Sequence, residues 1–172
     1  MIGLGSLPGL PFGSEAFAIN NLDQVIGRSG WPYVTGEPFL WYPQGGMVSL
    51  YEHPNGRMYS ATDINDSTCI VGYGEVFGVG AGAVRWTPAG GLELLTDDDG
   101  GGLWEAAAVN NLGQLVGRSG EGFMWDPRAG PRSLGQLFRN GSASRETVPT
   151  DINNSGEVVG ICYWPNDDRR CF

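Results

Sequence analysis

The sequence predicts an all-β fold built from repeats, and three observations carry that prediction. A ten-residue phrase occurs four times: AINNLDQVIG (Ala18–Gly27), DINDSTCIVG (Asp63–Gly72), AVNNLGQLVG (Ala108–Gly117) and DINNSGEVVG (Asp151–Gly160). Its last glycine stands at 27, 72, 117 and 160, which gives intervals of 45, 45 and 43 residues. A second phrase keeps register with the first: FLWYPQGG (Phe39–Gly46), VRWTPAGG (Val84–Gly91) and FMWDPRAG (Phe123–Gly130). Finally, 29 Gly and 11 Pro in 172 residues disfavour helices and mark turns. A period of about 45 residues is that of four-stranded propeller blades, so a small β-propeller of four units is expected.

Each unit reads as four short strands, because its apolar segments are brief and bounded by Gly, Pro and Asn. Strand one runs into the phrase (EAFAIN) and strand two leaves it (QVIGRS). Strand three is the FLW segment. Strand four is MVSL (Met47–Leu50), repeated as LELL (Leu92–Leu95) and within RSLGQL (Arg132–Leu137). WEAAAVNN (Trp104–Asn111) has helix-forming alanines, but it occupies the register of EAFAINN, and register decides for a strand. In strand three, Trp41, Trp86 and Trp125 recur and are expected in the core, with Arg85 at a blade edge. The glycine-rich stretch Gly72–Trp86 lacks the following helix and the Lys of a phosphate loop, and reads as a flexible link.

The phrase itself reads as the turn between strands one and two. Asn153 and Asn154 can form Asx turns, and Gly113 and Gly156 can take positive φ. Asp23 and Thr68 occupy that glycine's place in the first two copies. Threonine tolerates left-handed geometry poorly, so the second turn is expected to deviate or to carry about 1 kcal/mol of strain. DINNSGE also resembles the start of a calcium loop. Its ninth and twelfth places are Val159 and Cys162, which are not acids.

The units fall at approximately 9–50, 51–95, 96–137 and 138–172, preceded by a closing strand at 1–8. GRSGWPYVTGEPF (Gly27–Phe39) overlays GICYWPNDDRRCF (Gly160–Phe172) without a gap, so the chain ends as a fourth strand three begins. GLGSL (Gly3–Leu7) resembles SLGQL (Ser133–Leu137). The expected ring therefore closes by pairing N-terminal and C-terminal strands in one chain, which favours a monomer and removes open edges. Two chains forming a larger ring, or a piece of a longer array, are the alternatives. The same overlay puts Cys162 and Cys171 at the places of Ser29 and Pro38, flanking one hairpin link. A disulfide between them is expected, with Cys69 left as a lone thiol.

Composition narrows the partners. A formal charge of −9 repels phosphate backbones, so nucleic acid is not an expected partner. No run of 18 apolar residues reads as a helical membrane span. Met1 leads into IGLGSLPG without a basic region or an apolar run, so no signal peptide is read.

Catalytic patterns are sparse. His53 is the single histidine, has no nucleophile-elbow context, and is expected as an exposed loop residue. Asp97, Asp98 and Asp99 are candidate calcium ligands in TDDDGGG. Glu37, Glu105, Glu121 and Glu146 are available for glycoside hydrolysis, but the sequence pairs none of them. Trp31, Tyr33, Trp104 and Trp164 are the aromatic residues expected outside the core. An exposed aromatic ring beside polar groups suits a sugar, whose C–H face stacks while its hydroxyls hydrogen-bond.

Taken with FLWYPQGG and VRWTPAGG, the four phrases resemble the HAF-type extracellular repeat of bacterial proteins over nearly the whole chain. The sequence departs from that pattern at Leu22–Asp23 and Ser67–Thr68, and reads EPF (Glu37–Phe39) before the LW motif. The resemblance implies a secreted protein with a propeller-like β-fold and no established activity. The expectation is a non-catalytic binding or interaction module with carbohydrate as the specific ligand class. A structural or protein-interaction repeat is the alternative, and a glycan hydrolase a distant one. No cofactor is expected beyond the calcium candidates.

Overall fold

The computed structural model describes residues 2–10, 12–30, 36–97, 102–139, 142–164 and 169–172. Strands and turns account for its regular structure, with no helix among the described residues. The first blade orders β1 (Ser14–Ile19), β2 (Val25–Ser29), β3 (Glu37–Tyr42) and β4 (Gly46–Ser49). The second adds the short β5 (Glu52–His53) to β6 (Gly56–Ile64), β7 (Ile70–Val76), β8 (Gly80–Thr87) and β9 (Gly91–Leu94). The third holds β10 (Glu105–Val109), β11 (Leu115–Ser119), β12 (Glu121–Asp126) and β13 (Gly130–Ser133). A small hairpin, β14 (Phe138–Arg139) and β15 (Ser142–Ala143), precedes the fourth blade of β16 (Glu146–Ile152), β17 (Val158–Tyr163) and β18 (Arg169–Cys171). All pairings are antiparallel, and the four sheets form a small all-β propeller. The alanine-rich segment is the strand β10, as its register requires.

Period-two alternation gives each blade two apolar faces. Residues at the places of Val25 and Phe39 face the preceding unit, and those at the places of Ile26 and Leu40 face the next. Ile26, Leu40 and Leu50 of blade one thus pack on Ile64, Ile70 and Val84 of blade two. Val71, Ala83 and Leu95 pack on Leu115 and Phe123 of blade three. Val116 and Met124 meet Ile152 of blade four, with Leu134 and Val158 beside them. The innermost strands β1, β6, β10 and β16 follow one another across these seams.

Each innermost strand is bulged at one equivalent place. The register shifts fall between Ala16 and Ala18, Ala61 and Asp63, Ala106 and Ala108, and Pro149 and Asp151. The bulge pushes a backbone carbonyl towards the neighbouring strand, where the phrase ends in glycine. A Cβ on Gly27, Gly72, Gly117 or Gly160 would collide with the carbonyl oxygen of Glu15, Ser60, Glu105 or Val148 respectively. This explains why the phrase ends in Gly in every copy.

Several expectations are corrected. Residues 2–8 contribute no strand to any sheet, and no hydrogen-bonded pairing joins them to β18 among the described residues. Gly5, Gly9 and Gly13 have φ of 81°, 83° and 97°, which breaks an extended course. The segment folds onto blade one instead: Leu7 is buried on Val25 and Phe39, and its N–H donates to Ser29 Oγ at 2.9 Å. The glycine-rich stretch Gly72–Trp86 is no loose link but the paired strands β7 and β8 around a short turn. Trp41, Trp86 and Trp125 are half-buried at seam margins rather than in the core. Arg85 does lie at a margin: its guanidinium sits 4.5 Å from the Trp125 ring centroid of the next blade and bonds Glu93 at 2.6 Å.

The predicted Cys162–Cys171 disulfide is also corrected. All three cysteines are free thiols. Cys162 lies opposite Arg170, while Cys171 lies opposite Ile161. Adjacent strand positions point to opposite faces, so the two sulfurs project to opposite sides of the sheet. Cys162 is buried and its Sγ is 3.7 Å from Thr147 Oγ1, whereas Cys171 is exposed.

Candidate binding surfaces

The four phrase turns converge at one end of the propeller axis. In every copy the first Asn folds its own turn. Oδ1 of Asn20, Asn65, Asn110 and Asn153 each accepts two backbone N–H bonds, from the residues two and four places later, at 2.9–3.0 Å. The turn glycine place is left-handed in all four, with φ of 57° at Asp23, 57° at Thr68, 78° at Gly113 and 79° at Gly156. The second turn does not deviate. It holds Thr68 in strained geometry, with the hydroxyl donating to Gln24 Oε1 at 2.9 Å.

The same asparagines tie the blades together in one direction. Nδ2 of Asn20 donates to the Asn65 carbonyl, that of Asn65 to Asn110, and that of Asn110 to Asn153, each at 2.9 Å. A parallel rail uses the next residue. The N–H of Asn21 donates to Asp66 Oδ1, that of Asp66 to Asn111 Oδ1, and that of Asn111 to Asn154 Oδ1, at 2.8–2.9 Å. Asp66 Oδ2 also accepts Nδ2 of Asn21 and of Asn111, so one carboxylate links three blades. Donation from Asn21 holds the Asp66 carboxyl below the usual carboxylate range.

These turns enclose a polar well of about 270 Å³, lined by the Asn pairs together with Asp63 and Asp66. Asp63 has its carboxyl pushed up, first by burial and last by the like charge of Asp151. Its Oδ2 nevertheless accepts the N–H of Val109 on the next blade at 2.8 Å. Along the inner wall, Thr62, Ala107, Val148, Pro149 and Thr150 line a mainly apolar groove of about 300 Å³ with Glu105 and Arg118.

The opposite end of the propeller carries the aromatic candidates that are described. Trp104 precedes β10 and is 61% exposed. Its N–H donates to the Arg118 carbonyl, and that of Arg145 to the Tyr163 carbonyl, in both blades at the end of the strand pair away from the phrase turn. Trp164, directly after Tyr163, is half-buried, and its Nε1 is buried without a partner among the described residues. Both tryptophans therefore lie at the same end of the molecule. Arg118 stands among carboxylates there, 3.3 Å from Glu105 and 3.9 Å from Glu146. Trp31 and Tyr33 lie outside the described residues.

The remaining candidates are scattered. Asp98 and Asp99 lie outside the described residues. Asp97 lines a cleft of about 300 Å³ with Glu121 and Arg132, whose cation opposes a metal there. No cluster of three His, Cys, Asp or Glu side chains suited to a metal occurs among the described residues. Glu37 and Glu121 each accept a hydroxyl bond from the strand-four serine beside them, Ser49 or Ser133. Glu105 and Glu146 share Arg118 instead. His53 is half-buried rather than exposed: its ring lies 5.9 Å from that of Trp86, Nε2 is buried without a partner among the described residues, and burial lowers its pKa.

Sequence reading missed the cross-blade rails and the bulge. The Asn-Asn repeat signalled turns, but a bond between residues 45 apart leaves no local trace. Fold and site together define the class as a repeat-built, all-β small propeller. The chain matches no family model, and no curated protein matches it.

Proposed function

We propose that this chain is a non-catalytic binding module that takes a carbohydrate on the face carrying Trp104. The observation behind this reading is the 61% exposed indole of Trp104 beside the Glu105–Arg118–Glu146 charges. An exposed indole stacks on the apolar face of a sugar ring, and flanking carboxylates and a guanidinium exchange bonds with its hydroxyls. Trp164 at the same end supports an extended rather than a single-sugar ligand. The resemblance to HAF-type repeats adds an extracellular setting to the proposal. A glycan array on the intact chain tests the reading, followed by calorimetry on Trp104→Ala. The expected result is binding of at least one glycan class that weakens on the order of tenfold or more in the variant, equivalent to about 1.4 kcal/mol. Absence of any bound glycan, or a variant that binds as well as the parent, would sink it.

A second reading, a protein-interaction repeat, is favoured by a different observation. Large apolar side chains stand exposed at both ends of the blade series, with Ile19 at 64% and Val159 at 53%.

A further inference from the structure

The three seams between blades are built alike, and the first and last blades each carry half of a fourth. Asn153 Nδ2 bonds Glu157 at 2.6 Å but meets no carbonyl of a following blade among the described residues, unlike Asn20, Asn65 and Asn110. The N–H of Asn154 has no side-chain oxygen ahead of it among the described residues. At the other end, the Asn20 carbonyl and Asn21 Oδ1 are the acceptors that these donors reach in every internal seam. The third element runs the opposite way. Asp63 Oδ2 accepts from Val109 on the following blade. Asp151 occupies the place of Asp63, and Ile19 that of Val109.

The apolar parts match in the same sense. Val159 holds the place of Ile26, Val71 and Val116, all fully buried at the internal seams, yet it is 53% exposed. Ile19 holds the place of Ile64, Val109 and Ile152, all buried, yet it is 64% exposed. Leu50, Leu95 and Leu134 each lie at the end of a strand four, beside the apolar pair of the following blade. On blade one, Leu4 and Leu7 take that role against Val25 and Phe39. The fourth blade, by contrast, has three strands among the described residues. One end thus carries the leucines that the other end would supply.

We propose that these two surfaces are the halves of one seam, and that a second copy of this chain completes it head to tail. The contact is heterologous: the fourth blade of one copy meets the first blade of the next. Such contacts close into a ring if the rotation permits. A monomer was the expectation only if one chain closed its own ring, and no hydrogen bond joins blades four and one among the described residues. The inference does not rest on the carbohydrate reading, since it is argued from Ile19, Asn153, Asn154 and Val159, none of which that reading uses.

Light scattering on the intact chain, from micromolar to millimolar concentration, tests the proposal. The expected mass is that of two or more chains, against 18.4 kDa for one. Val159→Lys and Ile19→Lys each put a charge on an already exposed seam position. Each is expected to give the single-chain mass with an unchanged far-ultraviolet circular dichroism spectrum. Mixing the two variants in equal amounts should restore a two-chain species, since each keeps the half that the other has lost. A wild-type chain that stays at the single-chain mass overturns the proposal. So does a folded single variant that still associates like the wild type, or a mixture that stays monomeric. If Val159→Lys proves unfolded, Asp151→Lys replaces it on the same face with the same expected outcomes.

Discussion

Asn65 shows how one side chain holds both a turn and a seam. Its Oδ1 accepts Ser67 and Cys69 N–H, and its Nδ2 donates to the Asn110 carbonyl. Replacing Asn65 by Ala orphans these buried groups and should cost about 2–4 kcal/mol, as unmade buried hydrogen bonds do. Asn65→Asp separates the two roles, since it keeps the turn acceptors but turns an oxygen towards the Asn110 carbonyl. If the seam bond matters, urea unfolding should show Asp losing about 2 kcal/mol or more; parity with the wild type would mean that the turn alone matters. Gly117 was legible as a repeated glycine, but its reason was not. The collision of a Cβ with the Glu105 carbonyl arises only once β10 is bulged. Gly117→Ala should therefore lose about 3 kcal/mol or more, beyond the usual mutational range, with Gly3→Ala, whose Cβ would meet open space at a φ that is not left-handed, as the milder comparison. His53 supplies a pH dependence. Burial lowers its pKa below the ordinary 6.5, so the unfolded chain takes up the proton first as pH falls. Its contribution is fully present above about pH 6.5 and is lost as pH falls through the folded-state pKa. Wild-type stability should decline between pH 7 and 5 by more than that of His53→Gln; parallel curves would rule out the histidine.

The turns and hairpins set what a sequence can reveal about an element. Strand order, strand identity in β10 and the Asx turns were readable because they depend on residues a few places apart. The N-terminal segment was read as a strand from its likeness to Ser133–Leu137, but positive φ at Gly5 and Gly9 redirects it. The disulfide failed for a related reason: overlaying two hairpins fixes neither which residues lie opposite nor which way they face. Turn energetics give a clean comparison between copies. Asp23 and Thr68 share φ of 57°. Asp23→Gly relieves the strain at an exposed side chain and should stabilise by about 0.5–1 kcal/mol. Thr68→Gly relieves more strain in a β-branched residue but gives up the buried hydroxyl bond to Gln24, worth about 1 kcal/mol. The two effects nearly cancel, so Thr68→Gly should gain less than Asp23→Gly. Thermal melts that rank them the other way would show that the Gln24 bond contributes little.

Blades that touch only their neighbours make the molecule close to one-dimensional, so its stability is a sum over blades and seams. The seams are unequal. The first two are densely apolar, running through Leu40, Met58 and Ile70, and then through Val71, Leu95 and Leu115. The third rests on Ala108, Val116, Met124 and Ile152 among the described residues. Beyond it β17 carries the exposed Val159, and β18 is exposed along its length. The fourth blade should therefore open first, and amide hydrogens of β17 should exchange faster than those of β7. Met124 is 3% exposed at that third seam. Met124→Ala removes a buried side chain, at a cost of about 2–5 kcal/mol. Where the cost falls is the informative part. If the seams act separately, β16 and β17 lose protection while β6 to β8 keep theirs. If the propeller unfolds as one cooperative unit, the slowest amides of β7 lose protection by the same factor. Hydrogen exchange on this one variant distinguishes the two. The expected result is the local one, because Met124 touches the third seam, and the two denser seams hold blades one to three without it.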